Sequence, residues 1–148
     1  NLYRSGKVCI SILNTWKGPQ WTSCQSISSI LLCICASVLT DEPFLNEPGI
    51  TIQHDDYNKY NKIIKYKNYE IAIASMIINE KIKINFPELH EIMVRKFLEN
   101  YNDIICNLET NLNLNDEIIE TMVYRMKIKT SYTNTKNKID EIYKLLKN

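Results

Sequence analysis

The chain has 148 residues, with 18 Lys and Arg against 17 Asp and Glu and a formal net charge of +1. That length suffices for one domain with a real core, and the near balance of charge excludes an electrostatic drive toward nucleic acid or an anionic membrane surface. The longest apolar stretch, Ile27 to Leu39, is interrupted by Ser28, Ser29, Cys33, Cys35 and Ser37 and is shorter than the about 20 residues that cross a bilayer.

The sequence opens with neither an initiator Met nor the charged start of a signal peptide. Five cysteines, an odd number, then point to thiols kept reduced in the cytoplasm or nucleus. Cys33 and Cys35 stand two apart without a second close pair or a Cys-x-x-His, so neither a metal nor a cofactor is expected. Lys far exceeds Arg, and Ile and Asn are abundant, the bias of an AT-rich genome such as that of a large DNA virus or certain protists.

Residues 1–25 read as an irregular segment punctuated by Gly6, Gly18 and Pro19, with a short apolar run from Val8 to Leu13. Ser26 suits a helix N-cap. Ile27, Ile30, Leu31, Ile34 and Val38 recur at helical spacing, which predicts a helix ending near Leu39–Thr40. Residues 40–56, with Pro43, Pro48, Gly49, Asp41-Glu42 and Asp55-Asp56, read as a loop.

A long helix is predicted from Asp55 to Lys81, carrying Tyr57, Tyr60, Ile64, Ile71, Met76 and Ile78. Pro87 suits a first helical turn, and Leu89, Met93, Phe97, Tyr101, Ile104, Ile105 and Leu108 predict a helix over 87–108. Asp116 and Glu117 suit the positive start of a further helix through Met126, with Thr130 to Asn134 as a turn. Ile139, Ile142, Tyr143 and Leu146 predict a last amphipathic helix. No internal repeat or sustained heptad is present.

In composition alone, Cys9 reads as a small buried residue, because an isolated cysteine in an apolar run is more often that than a nucleophile. Cys33, Cys35 and Cys106 read as helix packing residues, Trp16 and Trp21 as packing aromatics, and Glu47 as a solvated loop charge. His54 and His90 are both distant from Cys9 in sequence, so a Cys–His protease arrangement has no support.

The combination is more specific than its parts. Asn1 stands eight residues before Cys9 in Gly6-Lys7-Val8-Cys9-Ile10-Ser11-Ile12-Leu13. Thr15-Trp16-x-Gly18-Pro19-x-Trp21, Gln25-Ser26-Ile27-Ser28-Ser29 and Asn46-Glu47-Pro48-Gly49 follow. This series resembles the ubiquitin-conjugating enzyme family, and within it the larger members whose loop after the cysteine-bearing segment is lengthened. Strong similarity covers residues 1–49 and a weaker one extends to Tyr101.

The resemblance implies the family's α+β UBC fold, truncated here, so that the chain is mostly α-helical with an irregular active-site segment at its start. Residues 1–82 would be the C-terminal part of the conjugating core, and 83–148 a helical extension packed on it. The family's first helix and antiparallel sheet would precede Asn1, leaving the apolar face of the 27–39 helix without its partner. Thr22-Ser23-Cys24 departs from the Ser-Pro-Ala usual after the loop tryptophan.

The resemblance also implies catalytic residues. Cys9 would carry ubiquitin, or a ubiquitin-like modifier, as a thioester. Asn1 would donate to the oxyanion or brace the loop. Glu47 would orient the attacking lysine, with Asp41 and Glu42 as weaker candidates.

Each role answers a chemical need. Only a few per cent of a free thiol of pKa about 8.5 is thiolate at neutral pH. An incoming thioester is already activated, however, so a donor to the oxyanion matters more than a strong base. A lysine of pKa about 10.4 must lose a proton before it attacks. The nucleophile is expected to be exposed.

The implied partners are the modifier, its activating enzyme, and a ligase or substrate lysine, with no nucleic acid and no membrane. The alternative is a catalytically inactive UBC-like module that binds ubiquitin or a ligase. A helical structural protein with coincidental motifs is a third reading.

Overall fold

A computed structural model describes residues 1–3 and 5–147. The described chain is mostly helical with one small sheet. It forms two compact units, residues 1–61 and 62–148, whereas the sequence placed a division at 82/83. No helix among the described residues is long and apolar enough to cross a membrane.

In the first unit, the regular structure among the described residues of 1–25 is a bridge between Leu2 and Val8 and a 3-10 turn, Ser11–Leu13. Helix α1, Ile27–Cys33, begins at Ser26 as predicted. The Ser26 hydroxyl accepts the Ser29 N–H, and the Ser29 hydroxyl accepts the Ser26 N–H. This reciprocal pair satisfies two of the donors that a helix start leaves open. The helix continues as a π turn, Ile34–Val38.

Val8, Ile10 and Ile12 alternate toward α1 and its π turn, packing with Leu13, Ile30, Cys33, Ile34 and Val38. The opposite side of the helix is bare: Ile27 is 75% and Leu32 69% exposed. Cys35 is exposed as well, as is Cys106 in the second unit, so neither is the packing residue its helical position suggested.

Helix α2, Tyr57–Lys67, starts close to the predicted residue and runs on through a π stretch, Asn68–Ser75. The predicted continuation to Lys81 is interrupted at Asn79, whose side chain accepts the N–H groups of Lys81 and Ile82 and starts α3, Glu80–Asn85. A side-chain acceptor of this kind competes with helix continuation. Helix α4, Pro87–Glu109, matches its prediction within one residue.

The helix predicted from Asp116 through Met126 is instead a hairpin of β1, Ile118–Glu120, and β2, Lys127–Lys129. Apolar residues at 118, 119, 122, 123 and 126 fit a helical period. Three of them are β-branched, however, and Ile119 alone in its strand is buried while its neighbours face outward, the period-2 signature of a strand. Glu120 lies opposite Lys127 in the register and is ion-paired with it. Tyr124 and Arg125 close the turn at positive φ, 60° and 47°.

Helix α5, Tyr132–Lys147, takes in most of the segment expected to be a turn. Thr130, 1% exposed, ends the hairpin: its hydroxyl donates to the Leu114 carbonyl and accepts the Glu117 N–H.

The core of the second unit gathers Tyr66, Ala74, Ile77, Phe97, Leu108, Tyr132, Ile139 and Ile142. Tyr101 stacks on Tyr143 at 3.6 Å and donates to Asp140 at 2.7 Å. Ile139 is fully enclosed. Ile139→Ala should therefore cost about 2–5 kcal/mol, read as a lowered denaturant midpoint of the full-length protein.

Burial, the bond to Asp140 and that carboxylate's charge push the Tyr101 phenol from 10.0 to about 12. The folded state thus holds a proton that the unfolded chain releases first, and the associated stability is present below pH about 10 and lost as pH rises toward 12. The midpoint difference between the parent protein and Tyr101→Phe should shrink across that window.

Candidate active site

Cys9 sits at the end of a tight loop that turns back on itself. The Cys9 N–H donates to the Asn1 carbonyl at 2.8 Å, and Asn1 Nδ2 donates to the Cys9 carbonyl at 2.7 Å. Between them the Tyr3 N–H donates to Lys7 O and the Gly6 N–H to Tyr3 O, both at 2.9 Å. Gly6 takes φ +86°, a conformation that side chains disfavour.

On the far side of Cys9, the Thr15 hydroxyl accepts the Ile10 N–H at 3.1 Å and donates to the Val8 carbonyl at 2.7 Å. The backbone on both sides of the cysteine is thereby fixed, and burial of Ile10 and Ile12 holds the segment on α1. Gly18 closes over this region at φ +137°, where an added Cβ would lie 2.9 Å from Ser11 Cβ.

Cys9 is 5% exposed, which corrects the expectation of an open nucleophile. The cysteine lies on the side of the extended segment opposite Ile10, where Tyr3 lies against its side chain. Tyr3 is itself 49% exposed. Its phenol is held above the ordinary 10.0 first by the negative charge of the Cys9 sulfur, then by partial burial, a hydrogen bond to the Cys9 side chain and the Glu47 carboxylate. Reasoning from sequence passed over Tyr3, although an aromatic midway between Asn1 and Cys9 was a usable signal.

The third candidate arrives from a different part of the chain. Glu47 directly follows the 3-10 turn Pro43–Asn46 in the loop after α1. Its Oε1 lies 3.8 Å from the Asn1 backbone nitrogen. The fold thus brings Asn1, Cys9 and Glu47 into one neighbourhood, with Tyr3 among them.

Asp41 is exposed, and Glu42 is engaged by the Tyr57 hydroxyl. Neither histidine joins the site. His54 Nδ1 accepts the Asp56 N–H, and in the second unit His90 Nε2 donates to the Ile77 carbonyl. Trp16 and Trp21 are 50% and 43% exposed, correcting their assignment to packing.

The arrangement offers a thiol with its backbone fixed, a carboxylate nearby, and a phenol against the thiol. The Asn1 amide N–H already has an acceptor in the Cys9 carbonyl, the geometry of a brace.

Comparison with known proteins gives the chain its relatives. The chain is 42% identical over 105 residues to ubiquitin-conjugating enzyme E2 Z of Danio rerio, covering 69% of this chain and 31% of that protein. It is 45% identical over 114 residues to the dual E2 ubiquitin-conjugating enzyme/E3 ubiquitin-protein ligase BIRC6 of Homo sapiens, covering 74% of this chain and 2% of that protein. A probable ubiquitin-conjugating enzyme, E2 R521, of Acanthamoeba polyphaga mimivirus is 36% identical over 89 residues, covering 53% of this chain and 6% of that protein. No protein-family model matches. The chain spans about a third of the length of the E2 Z relatives it matches.

Under native conditions a maleimide should label the exposed Cys24, Cys35 and Cys106 before Cys9. Tyr3→Ala should speed Cys9 labelling several-fold. Peptide mapping of a labelling time course reads both outcomes.

Proposed function

Because this chain belongs to the ubiquitin-conjugating enzyme family, we propose that it is the part of such a transferase that carries the reactive cysteine, with Cys9 accepting ubiquitin or a ubiquitin-like modifier and passing it to a lysine. What supports the reading is the placement of Glu47, 38 residues further along the chain (47 − 9), beside the Asn1–Cys9 clasp.

The chemistry proceeds in two exchanges. The Cys9 thiolate attacks the carbonyl of the modifier held as a thioester on the activating enzyme, whose thiolate leaves. A lysine amine then attacks the new thioester, the carbon–sulfur bond breaks, Cys9 departs as thiolate, and the amine proton passes to Glu47 and on to solvent. Asn1 acts as a brace that keeps the Cys9 carbonyl, and with it the sulfur, in place. The modifier, the activating enzyme and a ligase or substrate lysine are the proposed partners.

The burial of Cys9 favours a second reading, an inactive conjugating-like module that binds ubiquitin or a ligase. Charging decides between them. Incubated with activating enzyme, ATP and ubiquitin, the full-length protein should form an adduct that a thiol reductant removes. Cys9→Ser should give an adduct that resists it, and Cys9→Ala none. An unchanged adduct on Cys9→Ala rules out the transferase assignment, and ubiquitin binding without any adduct supports the module.

A further inference from the structure

We propose that Phe44 and Asn46, together with Tyr60 and Asn61 of α2, are positioning residues that hold the Glu47 carboxylate beside Cys9 for attack by a lysine. This rests on the transferase reading above.

Glu47 stands in an 18-residue connection between the end of the π turn at Val38 and the start of α2 (39–56 by number), one that also carries Pro48 and Gly49. A side chain on such a loop would sample many positions unless something fixed it. Phe44 and Asn46, just before Glu47, supply the contacts that do so.

Phe44 is completely enclosed. Its ring stacks on Tyr60 at 4.4 Å and 20° and meets His54 edge-on at 5.3 Å. Its N–H donates to Asn61 Oδ1 at 3.1 Å, and its carbonyl accepts the Glu47 N–H at 3.1 Å. Glu47 is thus bonded directly to the residue that α2 clamps.

Asn46 adds the link to the nucleophile. Its Nδ2 donates to the Val38 carbonyl at 2.9 Å, and Val38 is buried against Ile10 and Ile12. The residue before Glu47 is therefore tied to the same small core that seats Cys9. The Tyr60 phenol is held above its ordinary 10.0 by burial and then by Glu47, which agrees with the carboxylate lying near the anchoring ring.

The consequence is specific to the second exchange. Accepting the modifier requires no deprotonation of an amine. Transfer to lysine does, and there the position of the carboxylate governs the rate, since displacement of about 1 Å can cost up to a hundredfold.

The test is single-turnover discharge of the preformed thioester on the full-length protein, to free lysine and in parallel to hydroxylamine, an amine already neutral near pH 7. Glu47→Ala should slow lysine discharge about tenfold to a hundredfold, and Asn46→Ala and Tyr60→Leu should reproduce most of that loss. Tyr60→Phe, which keeps the stacked ring, should restore it. Charging and hydroxylamine discharge should stay at the parent rate, and the lysine profile of Asn46→Ala should move to higher pH.

Parent-like lysine discharge by Asn46→Ala, with Glu47→Ala slow, overturns the positioning role. So does equal slowing toward both amines, which marks a general loss of structure. Parent-like discharge by Glu47→Ala removes the carboxylate from the mechanism and the earlier reading of that residue with it. Asn46→Ala carries the test by itself if Tyr60→Leu does not fold.

Discussion

Everything at this site depends on the seating of one short apolar run against one helix. Val8 and Ile10 face α1 and its π turn, and Ile12, in the 3-10 turn that follows, packs on the same helix; because successive side chains of an extended segment point to opposite sides, the seating of Val8 and Ile10 dictates where residue 9 goes. The hydrogen bonds of Asn1 and Thr15 to the flanking backbone then remove the remaining freedom. The Cys9 thiol is placed by hydrophobic burial and only refined by polar contacts. A thiol on an unsupported loop would lose to conformational entropy what this segment gains from its core.

The same burial has a chemical cost. A buried cysteine is shielded from large electrophiles, and here Tyr3 lies against it. Tyr3 is half exposed, lies in a turn closed by Gly6 and takes no part in the packing of Ile10 and Ile12 on α1. Access and stability are therefore assigned to different residues, one on the solvent side of the backbone and two on the helix side.

Much of the architecture was legible in the sequence, and the reasons for the exceptions are physical. Helices α1, α4 and α5 announce themselves by cap and period, as Ser26, Pro87 and the Ile139–Ile142 face show. The hairpin at 118–129 was misread because five apolar positions fit a helical period, whereas strands of three residues each are too short to show their own, and the pairing of Glu120 with Lys127 joins positions seven apart. Asn79 ended a helix early by a side-chain cap that spacing alone does not reveal. At the site, resemblance pointed to Asn1, Cys9 and Glu47, and the fold gathers them. Tyr60, read only as apolar helix material, and Asn61 were missed at the site because their value lies in contacts with Phe44, 16 and 17 residues earlier in the chain (60 − 44, 61 − 44), which no local pattern encodes.

Gly18 shows how narrow the tolerance of such a site is. With φ at +137° and Ser11 Cβ only 2.9 Å from where a methyl would stand, even alanine both strains the backbone and displaces the turn that follows Ile10. In a saturation library this position would behave like a lock with a single key: the smallest possible gain in bulk presses on Ser11, the first residue of the turn that carries Ile12.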